Sequence, residues 1–304
     1  MHSLIKVCGR DIEVSGRVVR IANLDGEKYR FLDDPKPMLA GLRSCASRID
    51  LFTFVQRLPQ ASPKYPYPTE RDNFAAIPIS TFDHWWTHQI CTKARNKAKQ
   101  AEKKAVTIRE ISFDQTLVQG IWGIYNECPV RQGKPFVHYG KGIETIRSEV
   151  GAHVDHSIFL GAFLGQQMIG FVQMVYDETR TQAGLVNIVS MIQHRDKAPN
   201  NALIAQAVRS CAERGISYLV YSTFAYRNQR RCSLTDFKER NGFQQIDVPR
   251  YWVPLTSVGW AAFRFGLHLR WVDHLPLSMH AALRVLRTSW YDRRLQKQME
   301  SFRR

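Results

Sequence analysis

The chain has 304 residues, 44% of them apolar and 23% charged, so it is long enough for one large domain or two smaller ones with a sizeable core. Its 43 lysines and arginines against 27 aspartates and glutamates give a net charge of +16, which favours anionic partners such as phosphates, nucleic acid or an acidic membrane surface. The six cysteines lack Cys-x-x-Cys spacing, so no metal site is predicted and reduced thiols in a cytosolic protein are expected.

No segment of the sequence is predicted to be a signal peptide or a membrane span. The first 14 residues lack an apolar core of signal-peptide length. The longest apolar run, residues 157–176, is interrupted at its centre by Gly165-Gln166-Gln167. Two strands joined by a tight turn therefore fit this run better than one helix of about 20 residues.

Residues 1–80 are predicted to form a subdomain rich in strands. Residues 13–32 predict two strands joined at Asp25-Gly26, which is a strong hairpin signal. Residues 48–58 predict a buried strand, and the proline-rich stretch 59–73 predicts a surface loop. Another strand is expected at residues 73–80.

A long helix is predicted from Thr81 onward, with Ser80 or Thr81 as its N-cap. Its second half, Lys93 to Lys104, holds six lysines and arginines against one glutamate. Such a charge run is typical of a solvated helix face, and it would equally suit a surface that binds phosphates or nucleic acid.

The remaining elements alternate between helices and strands. Two amphipathic helices enclose a loop rich in basic and aromatic residues, and strands then alternate with helices to residue 255. The predicted elements are helices at 114–130, 143–152, 200–216 and 233–243, and strands at 157–164, 168–178, 182–193, 217–226 and 250–255. This order predicts an α/β fold with a mixed sheet and a βαβ unit between Gly184 and Tyr226.

Three segments resemble a known family. The basic segment 93–106 (KARNKAKQAEKKAV), the hairpin 158–175 (IFLGAFLGQQMIGFVQMV) and the helix end 234–243 (LTDFKERNGF) resemble the FemAB-like, peptidyltransferase-related branch of the GNAT acyltransferase superfamily. The resemblance covers residues 81–255. It implies a splayed central sheet with flanking helices, preceded in residues 1–80 by a reduced GNAT-like half.

The resemblance implies an acyltransferase that moves an acyl group from an activated donor to an amine or hydroxyl. Two neighbouring strands would splay apart and hold the donor, with acyl-CoA as co-substrate. The loop before the crossover helix, QHRDKAPNNAL, lacks the glycines of the usual GNAT pattern. An aminoacyl-tRNA donor acting on a cell-envelope precursor is therefore an alternative, and a non-enzymatic protein that binds nucleic acid or membrane on a GNAT scaffold is another.

The donor is expected at the start of the crossover helix, where free N–H groups and the helix dipole favour phosphate. The candidate donor-binding residues are Arg195, Lys197, Asn200, Asn201, Asn187 and Ser190. Ordinary helix capping by the two asparagines at 200 and 201, and a β-bulge at 187 and 190, are the structural alternatives.

The resemblance places Lys238 near the reacting carbonyl, where its ammonium would stabilise the developing oxyanion. His138, Tyr221 and Tyr226 are candidate proton acceptors or relays. The candidate acceptor-binding residues are Arg131, Tyr139 and Tyr226. Phe237 and Phe243 are expected to pack in the core.

Residues 256–304 are predicted to form a basic helical tail, with nine lysines and arginines against three acidic residues. Trp, Phe and Leu alternate there with arginine at helical spacing, which suits a helix at a membrane surface or one packed on the domain. A cytoplasmic protein is expected, with peripheral attachment at the inner face of the membrane as the alternative to a freely diffusing one.

Overall fold

The computed structural model describes residues 3–131, 133–225 and 233–269. The strands within these ranges are β1 (Ser3–Val7), β2 (Arg10–Ser15), β3 (Ile21–Leu24), β4 (Leu51–Val55), β5 (Thr69–Pro78), β6 (Val106–Ile111), β7 (Val130–Arg131), β8 (Lys134–Pro135), β9 (Ser157–Leu164), β10 (Gln167–Tyr176), β11 (Gln182–Ser190), β12 (Tyr218–Val220) and β13 (Gln244–Pro254). The α-helices are α1 (Lys36–Ser44), α2 (Phe82–His84), α3 (Thr92–Lys103), α4 (Gln115–Tyr125), α5 (Ile143–Gly151), α6 (Pro199–Glu213), α7 (Ser233–Arg240) and α8 (Ser257–Arg264).

Eleven of the described strands form one mixed sheet in the order β1-β2-β3-β4-β13-β5-β12-β11-β10-β9-β6. Strands β11 and β12 are parallel neighbours joined through α6, so the predicted βαβ unit is confirmed. The predicted hairpin is β9 and β10, which pair antiparallel around Gly165. The α/β fold class with flanking helices is therefore confirmed.

The N-terminal hairpin differs from the prediction. Strands β2 and β3 pair with each other, so their turn lies at residues 16–20 and not at Asp25-Gly26. Gly16 has a φ of +93°, and a Cβ there would lie 2.0 Å from the Val19 carbonyl oxygen, so this turn requires glycine. Asp25-Gly26 forms a separate turn after β3, in which the Gly26 carbonyl accepts from Tyr29 N.

The predicted strand at residues 48–58 is β4, and all five of its residues are buried. Its neighbours are β3 and β13, so the described strand nearest the C-terminus lies between β4 and β5. Strand β13 begins at Gln244, six residues before the predicted start, and its first two residues pair with β5. These residues are polar and exposed, so they do not show the apolar alternation from which a strand is predicted. The division of the chain at residues 80 and 255, and the reading of 1–80 as a reduced GNAT-like half, remain predictions.

The single long helix predicted from Thr81 is broken into pieces. Thr81 caps α2 by accepting from His84 N at 3.0 Å, as expected, and a π-helical turn then runs from Trp85 to Gln89. The chain is extended at Ile90. The break arises because Cys91 N donates to the Arg240 carbonyl at 3.0 Å, which ties the start of α3 to the end of α7.

The buried Trp85 makes the second link between these segments. Its indole Nε1 donates to the Asn241 carbonyl at 3.0 Å, and Gly242 has a φ of +86° beside it. A Cβ at Gly242 would lie 2.9 Å from Trp85 Nε1 and 3.2 Å from the Gln89 carbonyl oxygen. The glycine of the Asn-Gly-Phe sequence after α7 is therefore required both by its positive φ and by the lack of room for a side chain.

We expect Gly242→Ala to lower the free energy of unfolding by more than Gly215→Ala does. Both glycines have a positive φ, so both variants carry the left-handed penalty of about 1–2 kcal/mol, but a Cβ at Gly215 meets nothing within 4 Å. Overpacking against Trp85 should add about 1–3 kcal/mol for Gly242→Ala. Urea unfolding of both variants measures the difference, and equal losses would contradict this account.

Candidate active site

Strands β11 and β12 separate partway along their length. They pair only where Gln182–Gly184 face Tyr218–Val220. Beyond that point Tyr221 N donates to the Ala75 carbonyl at 2.7 Å and Ala75 N donates to the Ser222 carbonyl at 2.8 Å, so the chain after β12 follows β5. The separation predicted near Asn187 and Tyr221 is present.

A β-bulge marks the same place on β11. Strand β11 stays paired with β10 as far as Ser190, but the register shifts between Gln173 and Met174. Val186 is the extra residue, because Leu185 faces Met174 and Asn187 faces Gln173. A bulge bends its strand, which carries β11 away from β12 here.

A cleft of about 590 Å³ opens at this gap, between α3, the end of β11, the start of α6 and α7. We call it the basic cleft. Its basic lining residues come from four separate places in the chain, and none of the described lining residues is acidic. They are Lys93, Lys97, Arg131, Arg195 and Arg240. So many cations without a carboxylate create a positive potential that attracts an anion.

Helix α3 divides its faces between packing and charge. Ala94, Ala98 and Ala101 are buried at spacings of four and three residues. Lys93 and Lys97 are exposed and line the cleft. The basic segment is therefore in part a wall of the cleft and in part a solvated face.

Arg131 is held in place by carbonyl groups at both sides of the cleft wall. Its Nη1 donates to the Ser190 carbonyl at 2.6 Å and its Nη2 to the Ile124 carbonyl at 2.7 Å. The guanidinium lies 4.2 Å from the centre of the Phe136 ring. Burial lowers the pKa of Arg131, and the nearby Glu127 carboxylate opposes that shift.

Glu127 organises the turn that follows β11. Its Oε2 accepts from Ile192 N at 2.7 Å and its Oε1 accepts from Gln193 N at 2.9 Å, which caps the 3₁₀ helix Ile192–Lys197. This short helix carries Arg195 into the cleft. The same carboxylate lies 3.4 Å from Arg131 Nη2, so one side chain positions two of the cleft's cations.

Helix α6 begins at the floor of the cleft without a side-chain cap. Ala198 precedes it in a left-handed conformation with a φ of +53°, and Pro199 is its first residue. Asn200 and Asn201 lie inside the first turn and line the cleft, so the capping alternative does not apply to them. Asn201 Nδ2 donates to Asn241 Oδ1 at 3.1 Å.

Lys238 is buried, with 1% of its surface exposed. Its Nζ donates to the Thr223 carbonyl at 2.7 Å and lies 4.9 Å from the centre of the Tyr221 ring. Phe237, next to it on α7, lines the basic cleft. Thr223 lines a different cleft, whereas Lys238 itself lines neither cleft.

The second cleft, which we call the loop cleft, has a volume of about 350 Å³. Val186 from β11 and Ser222 and Thr223 from the chain after β12 form one side, so this cleft borders the same strand gap. The loop of residues 23–29 forms the other side, and burial lowers the pKa of Lys28 there.

Two contacts hold that loop in position. A Cβ at Gly184 would lie 2.9 Å from Lys28 Cβ and from Tyr29 Cδ1, so glycine allows the loop to lie directly on β11. Arg250 binds both Glu27 carboxylate oxygens at 2.8 Å and Asp72 Oδ2 at 2.7 Å. This partly buried charge network fixes the polar wall of the cleft.

The structure brings together many of the predicted site residues. Five of them line the basic cleft, namely Arg131, Ser190, Arg195, Asn200 and Asn201. Tyr221 and Lys238 contact each other outside its lining. Arg131, predicted for the acceptor, thus lies with the predicted donor residues. Tyr226 lies outside the described residues.

Besides Lys238 and Tyr221, four predicted residues do not line either cleft, and their roles remain predictions. His138 stacks on Tyr125 with ring centres 4.4 Å apart, and burial lowers its pKa. Tyr139 is 47% exposed. The two others hydrogen-bond or ion-pair elsewhere, Asn187 Nδ2 with Gln173 Oε1 at 3.3 Å and Lys197 Nζ with Asp196 Oδ1 at 3.4 Å.

Several residues of the two clefts were missed. Arg240 and Asn241 belong to the Phe-Lys…Gly-Phe motif but were not predicted as site residues. Spacing of four residues between Lys93 and Lys97 was the available signal on α3. Loop 23–29 had none, because only tertiary folding brings it onto β11.

No family model matches the sequence, and a search of curated protein sequences found no match. Three solved structures are similar to 82–86% of this chain at 9–12% identity. They are FemX (TM-score 0.56, 9% identity, covering 82% of this chain and 87% of that chain), L-PGS from Bacillus licheniformis (0.55, 11%, 86% and 87%), and the C-terminal domain (DUF2156) of a protein named as a lysylphosphatidylglycerol synthetase from Agrobacterium fabrum (0.54, 12%, 86% and 87%).

The chain has the GNAT/FemAB-like fold. The gap between β11 and β12 is the strand separation that the resemblance given above implies. Within the described ranges, no helix is both long enough and apolar enough to span a bilayer.

We expect Glu127→Gln to lower the free energy of unfolding by about 1–3 kcal/mol, because two backbone N–H groups donate to the charged carboxylate and an amide offers them one neutral acceptor oxygen. Glu144→Gln is the matched control, since Glu144 is 85% exposed and lies 3.6 Å from Arg147. Its effect should stay below about 0.5 kcal/mol. Urea unfolding measures both, and equal shifts would rule out the proposed cap.

Proposed function

We propose that this protein is an acyltransferase that moves an acyl group from an activated donor, acyl-CoA, to an amine or hydroxyl acceptor. The observation that carries the proposal is the arrangement at the strand gap. A cleft lined by five cations borders it at β11, a second, polar cleft borders it at Val186 and Thr223, and the buried Lys238 ammonium donates to the Thr223 carbonyl.

The donor's phosphates would lie in the basic cleft. Arg131 and Arg195 reach it from the wall, and Asn200 and Asn201 reach it from the first turn of α6. Phosphate groups are favoured there by the cations and by the start of the helix together. The acyl end of the donor would then extend along β11 into the gap.

The acceptor would enter from the loop cleft. Its nitrogen or oxygen attacks the acyl carbonyl carbon, and the carbonyl oxygen takes up negative charge in the tetrahedral intermediate. Collapse of this intermediate breaks the bond to the leaving group and restores the carbonyl, and the acceptor's proton goes to the departing sulfur or oxygen. Lys238 would stabilise the oxyanion, and Tyr221 beside it is the assigned relay for the proton.

The proposed location is the cytoplasm, where such activated donors are made. Five described cysteines are free thiols, which suits a reducing compartment.

An aminoacyl-tRNA donor is the second candidate, and one observation favours it. Positive charge on α3 extends past the cleft, since Lys99 and Lys103 are exposed farther along the helix and on another side of it. The start of α6 also contains alanine and proline in place of glycines. A longer polyanion than coenzyme A would contact more of this surface.

Lys238→Met should reduce kcat by about 10²–10³-fold with little change in donor KM, because the ammonium is assigned to the transition state. Lys36→Met, at an exposed position of α1, is the matched control and should retain full turnover. Thermal unfolding of both variants separates loss of fold from loss of chemistry. Turnover at the wild-type rate in a folded Lys238→Met would remove this residue from the mechanism.

The donor can be identified with two double variants. Lys93→Gln/Lys97→Gln should raise the donor KM for either donor, because both lysines line the cleft. Lys99→Gln/Lys103→Gln should leave the KM for acyl-CoA unchanged. It should weaken the binding of charged tRNA and lower the number of counterions released on binding by about two. Native mass spectrometry of the purified protein, read for retained coenzyme A or RNA, gives an independent result.

A further inference from the structure

Helix α8 and the turn after it expose an apolar surface. Val258 is 40% exposed, Trp260 57%, Phe265 70% and Leu267 61%. The polar residues that are exposed between 257 and 267 are Ser257 and Arg264. We call the four apolar side chains with Arg264 the α8 face. Large apolar groups clustered on an exposed surface mark an interaction site more often than a solvated helix.

The α8 face cannot rotate inward, because the opposite side of the helix is fixed to the sheet. A Cβ at Gly259 would lie 1.9 Å from the Asp50 carbonyl oxygen, so backbone and backbone are in direct contact there. Thr256 Oγ1 accepts from Gly259 N at 3.1 Å and donates to Asp50 Oδ1 at 2.8 Å. The apolar side chains therefore point away from the sheet.

The α8 face lies on the same side of the sheet as the loop cleft. The His268 ring packs on Trp252 with ring centres 4.4 Å apart, and its Nε2 lies 3.1 Å from Glu70 Oε1. Trp252 and Arg250 are two residues apart on β13, so both side chains leave the same side of the strand. Arg250 lines the loop cleft, which places that cleft and α8 over one sheet face.

The sequence of the segment that contains α8 favours an anionic partner. Residues 256–304 hold nine lysines and arginines and three acidic residues, and Arg264 lies within the face itself. An anionic bilayer supplies an apolar interior for the Trp, Phe and Leu side chains and phosphates for the arginine. We propose that the α8 face contacts an anionic membrane surface, and that this contact turns the loop cleft toward the lipid headgroups.

The test is sedimentation of the full chain with vesicles, without donor or acceptor. Vesicles of phosphatidylcholine alone are compared with vesicles that contain about 30% phosphatidylglycerol. The wild-type protein should bind the anionic vesicles, and Trp260→Ser/Phe265→Ser/Leu267→Ser should bind them about tenfold or more weakly. The control Leu4→Ser/Val18→Ser/Val137→Ser removes three other exposed apolar side chains and should bind like the wild type.

Three outcomes would overturn the proposal. They are absence of wild-type binding, equal binding by the α8 variant and the wild type, and an equal loss in both triple variants. If the α8 variant changes a dimer to a monomer in sedimentation velocity while still binding vesicles, the partner is a second copy and the membrane contact is refuted. Because the assay contains no substrates, its result is independent of the transfer reaction proposed above.

Discussion

The whole candidate site depends on an exchange of backbone partners after Val220. Here the chain leaves β11 and continues on β5, with hydrogen bonds from Tyr221 to Ala75 and from Ala75 to Ser222. A sheet whose strands stay paired has no room for a substrate between them. The bulge at Val186 bends β11 just after the last residue that pairs with β12. Both strands therefore leave their shared pairing at the same point. Each strand keeps backbone hydrogen bonds on its other edge, β11 with β10 and the chain after β12 with β5.

Two helix ends then determine what the gap can hold. The start of α3 and the end of α7 are joined by the hydrogen bond from Cys91 N to the Arg240 carbonyl. The Trp85 indole adds a second bond, to the Asn241 carbonyl. This brings cations from distant parts of the sequence to one rim. Glu127 positions the cations of the opposite rim, because it binds the turn after β11 and lies beside Arg131. The positive potential is thus a consequence of tertiary contacts that have no local signature, although each contact is an ordinary hydrogen bond.

Although β12 ends at Val220 and not at the predicted residue 226, periodicity predicted the helices and the strands β9, β10 and β11 between residues 114 and 255, because their buried faces repeat at helical or strand spacing. It failed where a tertiary contact overrode it, as at Ile90, where helical sequence is interrupted to meet Arg240. It also failed where polar residues form a strand, as in the first part of β13. The loop before the crossover helix located part of the basic cleft, because Arg195, Asn200 and Asn201 lie close together along the chain. Strand alternation could not show that Asn187 faces Gln173, and nothing local indicated that loop 23–29 would form the second cleft.

The position of β13 between β4 and β5 has a consequence for folding during synthesis. Strands β1 to β4 leave the ribosome first, yet their link to the remaining sheet is made only after residue 254 has been translated. Until then β4 has an open edge, which invites wrong pairing with other chains. Arg250 arrives on the same late strand, so the ion network with Glu27 and Asp72 closes last. Completion of the loop cleft is therefore a late step, and a chain that is translated slowly or truncated before β13 would expose β4 to aggregation.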